Sequence, residues 1–271
     1  MDVRKIRKFI YNLLYKLDVL FRSKAKRVVV LCYHSISNDK SLFSIDLQNF
    51  KKQIEILKKA GFEFITAKQL EGFLYENKDL PSKSVLITFD DGYSDMIDVK
   101  NFLVEEGIKP ILFVLSDTRN LDRGMLGNSK KLLEENQILE LAQAGWDIGS
   151  HGAKHRDLTT LAQNSLTEEV QDSKTRLEAI TKTQIRYFSY PKGRYDKETL
   201  DLVKNSQYKL AFSMDDTLIT GKTSKFAVPR IGIDQSHTLE EFITTFSPSV
   251  IIFRGFLKKI LGSKLDKILN I

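Results

Sequence analysis

The sequence predicts one α/β domain with parallel strands, open or closed into a barrel, and an amphipathic helix at each end. Three observations carry this reading. Short β-branched runs alternate with segments of helical period from Lys26 to Ile233. Gly61, Gly107 and Gly145 fall where three of the helical segments stop. No internal repeat, low-complexity tract or interdomain linker breaks the alternation. With 271 residues and 42% apolar content, the chain can fill a sizeable core.

Taken in order, residues 27–34 read as a strand and 50–60 as a helix, then 62–66 as a strand and 67–76 as a helix. The run Val85, Leu86, Ile87 marks a buried strand over 84–89, followed by a helix over 95–106. Strands follow at 109–116, 146–150, 186–190, 208–214 and 227–233, with helices over 129–144, 166–181 and 197–205 between them. Cys32 is the single cysteine, so there is no internal disulfide framework, and its apolar neighbours predict a buried, inert thiol.

The net charge of +7 is unevenly placed. Residues 1–27 carry nine Lys/Arg against Asp2 and Asp18, and residues 249–271 carry five against Asp266, so the body between them is mildly acidic. Within 3–22 the positions Ile6, Phe9, Leu13, Leu17 and Leu20 recur at helical spacing among basic residues. Phe253, Phe256, Ile260, Leu265 and Ile268 do the same within the tail. Neither stretch has the roughly 18–20 uninterrupted apolar residues of a bilayer span. Lys16 and Asp18 also interrupt what a cleavable leader would need. The expectation is therefore three parts: a basic amphipathic helix over 1–26, a body over 27–248, and a second such helix over 249–271. The body would lie in the cytoplasm, peripheral at the inner membrane face, with both ends on an anionic membrane surface. Packing of both helices on the body is the competing reading. A nucleic-acid partner is not expected, because the apolar stripes would have no role there.

In parallel α/β folds the residues just after each strand converge. Here these are His34, then Asp90 and Asp91, then His151 and His155, then Pro191-Lys192-Gly193, with His237 after the last strand. Adjacent residues of a strand point to opposite faces, so Asp90 and Asp91 can serve one site only if the backbone turns, which Gly92 permits. His151 and His155 are four apart, a separation that puts both imidazoles on one side of a helical turn. Two histidines and one carboxylate leave open positions on a metal ion, as hydrolytic metal sites require.

At these residues a family resemblance becomes visible. Thr88-Phe89-Asp90-Asp91-Gly92-Tyr93, Ser150-His151-Gly152-Ala153-Lys154-His155 and Phe188-Ser189-Tyr190-Pro191-Lys192-Gly193 resemble the first three motifs of the polysaccharide deacetylases, carbohydrate esterase family four, of nodulation-type chitooligosaccharide deacetylase homology. The resemblance covers roughly residues 28–234 and implies a distorted (β/α) barrel of about seven parallel strands. It implies a divalent metal, most often zinc, with cobalt or nickel as alternatives, on Asp91, His151 and His155. Asp90 would be the general base and the Tyr93 backbone N–H an oxyanion donor. Tyr190, Pro191, Gly193 and Arg230 would lie along the substrate groove. Leu31-Cys32-Tyr33-His34 resembles the branch that includes biofilm poly-N-acetylglucosamine deacetylases, where a histidine near the N-terminus is the general acid; His34 takes that role here, with His237 as competitor. The third-motif arginine is replaced by Ser189-Tyr190, leaving Arg230 or Arg186 to orient Asp90, and Gly152 stands where Ser or Thr is common.

The resemblance thus implies a metal-dependent hydrolase removing acetyl from an amino sugar in a polysaccharide or a lipid-linked glycan. An exported poly-N-acetylglucosamine deacetylase, an O-acetyl esterase and a non-enzymatic glycan-binding protein at a membrane surface are the alternatives.

Overall fold

β1 (Arg27–Tyr33) and β3 (Lys83–Phe89) pair in parallel along their whole length, Arg27 opposite Lys83 and Tyr33 opposite Phe89. The computed structural model describes residues 3–21, 26–119, 121 and 130–261. From β3 the order runs through β4 (Ile111–Val114), β5 (Asp147–Ser150), β6 (Tyr187–Ser189) and β7 (Leu210–Ser213), every pair parallel.

The expected last strand is divided. β8 (Val228–Pro229) pairs with β7, and β9 (Ile231–Gly232) pairs with β1, so one stretch joins the two edges of the sheet across Arg230. Pro229 has no N–H to give, which ends the pairing with β7. Counting β8 and β9 as one stave, the described strands form a nearly closed barrel of seven, with β2 (Glu63–Phe64) outside the ring against the start of β3.

Helices surround the barrel: α2 (Leu47–Lys59), α3 (Ala67–Glu76), α4 (Met96–Glu105), α5 (Glu135–Gln143) and α8 (Lys197–Asn205). The expected helix over 166–181 is α6 (Gln163–Thr167) running through a π turn at Glu168–Asp172 into α7 (Ser173–Thr181). The expected helix over 129–144 shortens to α5. Its first expected residue, Ser129, lies outside the described residues. A helix that the hydrophobic pattern did not give, α9 (Leu239–Thr245), starts at Thr238, whose hydroxyl accepts from the Glu241 N–H in a capping box.

The period of two along each strand sorts the core. Val29, Leu31, Val85, Ile87 and Leu112 face outward and pack with Phe50, Val99, Leu141 and Val203 of the helices. Val28, Val30, Leu86, Ile111, Phe113, Leu210, Phe212 and Val228 face inward as one cluster with Leu70 and Leu74 of α3. The Tyr75 hydroxyl donates to the Lys209 carbonyl at 2.8 Å and Arg186 pairs with Glu71 at 2.6 Å. These contacts hold α3 across the N-terminal end of the strands. Arg186 is therefore at the wrong end of the barrel to orient Asp90.

Both terminal helices pack on the body, as the competing sequence reading had it, through one face each. α1 (Val3–Leu20) lies against α9 and α10 (Pro248–Leu261). The part of the expected tail stripe beyond residue 261 lies outside the described residues. Asp18 caps α10: its carboxylate accepts from the Ser249 N–H at 3.0 Å, from the Ser249 hydroxyl at 2.6 Å, and from the Ser247 hydroxyl. Asp18→Ala is expected to lower the unfolding free energy by about 1 kcal/mol, measured by urea denaturation, and Asp18→Asn by less.

Candidate active site

The site forms where the inward face of the barrel changes from apolar to polar. Above the last inward rings, Phe113 and Phe212, lies the Arg230 guanidinium, 5.3 and 6.0 Å from their centroids. Arg230 is 1% exposed and grips Asp90 with a fork: Nη1 donates to Oδ1 and Nη2 to Oδ2, both at 2.7 Å. It also donates to the Ser189 hydroxyl at 2.7 Å and the Thr88 hydroxyl at 3.2 Å. Ser189 donates in turn to Asp90 Oδ2. The Ser189 that departs from the family's third motif is thus where the arginine arrives, from the other end of the sequence. Arg230 does not line a substrate groove as expected; it is buried beneath the site and fixes Asp90. Burial would raise the Asp90 pKa, but Arg230, with His151 and His34 adding to it, holds the carboxyl well below the usual range.

Asp91 is the opposite case. Its backbone is left-handed (φ 71), as is that of Gly92 (φ 72), where a Cβ would come within 2.9 Å of Val114. The two residues turn the chain, so both acids reach one space. Asp91 is buried, and its Oδ1 has no hydrogen-bond donor. Burial, reinforced by Asp90, pushes its carboxyl up to about 6 despite the opposing pull of His151 and of a hydrogen bond with Tyr93. The same Oδ1 stands 3.5 Å from His151 Nε2 and 3.5 Å from His155 Nε2.

The two histidines do not share a helical turn. Residues 151–156 are an irregular loop after β5, with Gly152 at φ +83 and His155 itself left-handed at φ 58. The loop takes its shape from Glu169, in the π turn between α6 and α7. Glu169 is fully buried and accepts from the Ala153 N–H at 2.7 Å, the Lys154 N–H at 3.0 Å and Arg156 Nε at 2.6 Å. A Cβ on Gly152 would stand 2.5 Å from Glu169 Oε2, which explains glycine at this position. Glu169 was missed in the sequence, where the only trace is an acid inside a predicted helix.

His151 Nδ1 faces the Ser189 carbonyl at 2.9 Å, which makes Nδ1 a hydrogen-bond donor and turns Nε2 toward Asp91. Burial, then His151, lowers His155 to about 3, so its imidazole is neutral. A cation suits this set of donors. Three ligands about 2.1 Å from one ion at tetrahedral angles stand about 3.4 Å apart. The unpartnered Asp91 oxygen would gain the positive charge it lacks. The neighbouring group of Cys32, His34 and Asp90, whose donor atoms also lie within 4.8 Å of one another, does not suit a cation. There Asp90 is already matched by Arg230, and burial pushes the Cys32 thiol well above its ordinary value, keeping it protonated. Cys32 is buried as expected, but it borders the site.

His34 lies beside Asp90 with its ring 4.9 Å from that of Phe43. Burial lowers its pKa while the Asp90 carboxylate works against the shift. His237 is elsewhere, 3.1 Å from Asp234. Tyr93 is buried beside Asp91, in a bridge to Leu132. Tyr190 is fully buried, its hydroxyl donating to the Phe226 carbonyl, and Pro191 is buried too, so neither side chain offers the substrate surface expected of it. Gly193 is at the rim, packed on Met214.

Removing Arg230 would leave Asp90 buried and unpaired. Arg230→Met is expected to cost about 3–5 kcal/mol of stability. Arg230→Lys, which keeps a charge without the fork, is expected to fold. Because Arg230 favours the ionised carboxylate, weakening it raises the Asp90 pKa, and activity that needs ionised Asp90 is lost at higher pH. The acid limb of a pH–rate profile should therefore move up in Arg230→Lys, within the roughly 1–3 pH units that an adjacent arginine is worth.

Known proteins share the family and the fold of this chain. A family model described as polysaccharide deacetylase matches residues 77–211. YxkH of Bacillus subtilis, whose name places it among the polysaccharide deacetylases, is 30% identical over 211 residues, covering 78% of this chain and 72% of the relative. A poly-β-1,6-N-acetyl-D-glucosamine N-deacetylase of Staphylococcus aureus is 24% identical over 219 residues, 73% of this chain and 71% of the relative. Two solved structures share the fold. The Streptococcus pyogenes deacetylase PplD in complex with acetate has a TM-score of 0.70 at 24% identity, over 83% of this chain and 100% of that one. IcaB from Ammonifex degensii has a TM-score of 0.69 at 22% identity, over 83% and 98%. The chain belongs to the polysaccharide deacetylase family, hydrolases that remove N-acetyl groups from carbohydrate.

Proposed function

We propose that this chain is a zinc-dependent deacetylase acting on N-acetylated hexosamine in a glycan, with the metal on Asp91, His151 and His155. The observation that carries the reading is the opposite state of two adjacent acids. Asp90 is charge-matched by Arg230 and stays ionised, whereas Asp91 is buried, without a cationic partner, and aimed at two imidazoles. The first suits a base and the second a ligand. A bound divalent ion would acidify water and polarise the acetamide carbonyl.

The protein's own groups do the rest. Asp90, held in place by Arg230 and Ser189, accepts the proton of the attacking water. The backbone N–H of Tyr93 is the donor assigned to the developing oxyanion. His34, in the Tyr33-His34 pair of the N-terminal branch, is assigned to protonate the leaving amine. As the imidazole is neutral at rest, it collects that proton during turnover, and adjacent Asp90 is its source. The new C–O bond then replaces the C–N bond, giving acetate and a free amine. The N-acetylglucosamine polymer named for the S. aureus relatives supports hexosamine as the substrate class.

Metal content measured beside turnover on a small acetylated amino-sugar oligomer tests this. Wild type should hold about one ion per chain. Asp90→Asn should keep the metal and lose turnover by about 100-fold or more. His151→Ala should lose both. His34→Ala should be impaired while His237→Ala is not; the reverse result would move the acid role to His237. A wild type that neither binds zinc, cobalt or nickel nor turns over would overturn the proposal. Glu169→Gln, which sets an amide N–H2 against the loop's own N–H donors, should weaken metal affinity about 10–100-fold.

A further inference from the structure

Each terminal helix divides its residues between two faces. On α1, Tyr11 is buried and Asp18 turns inward to cap α10. The opposite side carries Phe9, Leu13, Leu17 and Leu20, four, four and three residues apart, with Phe9 69% and Leu20 75% exposed. On α10, Val250 and Ile251 are buried and Arg254 pairs with Asp216, while Ile252, Phe256 and Ile260 are 59%, 59% and 62% exposed. Asp18 meets Ser249, and Tyr11 lines the same crevice as Arg254, so the helices run antiparallel with both stripes turned away from the barrel.

Exposed lysines border these stripes: Lys5 and Lys16 on α1, and Lys259 on α10. The single acid in the two helices, Asp18, is engaged by Ser247 and Ser249. An exposed apolar strip bordered by lysines is complementary to an anionic lipid surface. It is a poor match for a second copy, which would bring like charges against these. No helix among the described residues is long and apolar enough to cross a membrane.

The strip also has a definite relation to the site. Gly255 lies against the Asp216 carbonyl, where a Cβ would stand at 2.5 Å, and Lys258 reaches the Met214 carbonyl at 3.5 Å. Met214 follows β7 at its C-terminal end and packs on Gly193 at the rim of the site. The crevice beneath α1 is completed by Ser236 and His237, which follow β9. Both helices thus flank the open end of the barrel.

We propose that α1 and α10 together dock the protein on an anionic bilayer surface and hold the catalytic mouth there, so that its substrates are glycans carried at the membrane. The substrate half rests on the deacetylase reading; the docking half does not. The test is flotation of the full chain with vesicles of phosphatidylcholine, alone or with phosphatidylglycerol. Wild type should float with the anionic vesicles and not with the neutral ones. The exposed triple variant Phe9→Ser, Phe256→Ser, Ile260→Ser should stay behind. Lys5→Gln with Lys16→Gln and Lys259→Gln should bind about a hundredfold more weakly, from about 1 kcal/mol for each cation removed.

Both variants should keep wild-type turnover on a soluble acetylated amino-sugar oligomer and lose it on a membrane-carried glycan. Equal turnover on the membrane-carried glycan would overturn the substrate half. Failure of wild type to float, or flotation indifferent to phosphatidylglycerol, would overturn docking. So would a dimer, found by sedimentation velocity, that the serine variant disperses and that does not float. Absent turnover on every glycan with flotation intact would instead defeat the deacetylase reading and leave docking standing.

Discussion

The bidentate pair between Arg230 and Asp90 is the interaction on which the rest depends. It is a non-covalent link between residues 140 apart in sequence, and it fastens the end of β3 to the stretch that closes the barrel. Two charges taken out of water are costly unless their geometry satisfies them. Here both carboxylate oxygens are matched by separate guanidinium nitrogens, and Ser189 and Thr88 take up further hydrogen bonds. The aromatic rings below provide a face on which a planar cation can lie. Because the pair is internally neutral, it leaves the next residue as the unbalanced charge of the site. That is how two adjacent aspartates come to differ in chemistry: one has its counter-ion built in, and the other needs one from outside.

The second support is the Glu169 carboxylate beneath the 151–155 loop. Non-glycine residues in the left-handed region cost of order 1 kcal/mol or more, and both Asp91 and His155 are in it. A loop bearing such a residue keeps one shape only if something holds it there. Glu169 does so by collecting two backbone N–H groups and a guanidinium, and the π turn that presents it adds one residue to the helical register. His151 is fixed separately, by the Ser189 carbonyl. Ser189 therefore serves both halves of the site, with its hydroxyl on the acid pair and its carbonyl on the imidazole.

The sequence made the strands, their parallel arrangement and the convergence of His34, Asp90, Asp91, His151 and His155 legible, because each is a local signal: a β-branched run, a strand end, a short motif. What it hid depends on distance in the chain. The sequence offers Arg230 and Arg186 alike to orient Asp90; only closure of the barrel shows that Arg230 points inward, onto Asp90, while Arg186 pairs with Glu71. Glu169 is one acid among several on a helix whose register the π turn changes. The four-residue spacing of His151 and His155 suggested a helical turn because spacing alone cannot distinguish a turn of helix from a loop shaped by a distant carboxylate. Tyr190 and Pro191 belong to a motif, but packing takes their side chains into the core.

The barrel interior also explains why the site opens in one direction. Alternate residues build its lower layers from Val28, Leu86, Ile111 and Leu210 and its upper ones from Cys32, Thr88, Ser189 and Arg230, while α3 covers the N-terminal end. The apolar layers leave the polar ones above them without water from beneath, so charges there interact strongly and unmatched ones are expensive. Among the described residues, the site is therefore open toward the strands' C-terminal end. Whatever stands at that rim controls approach to the site. In this chain the rim is bordered by α10 along Met214–Asp216 and by α1 above His237, so the two terminal helices meet beside the opening to the site.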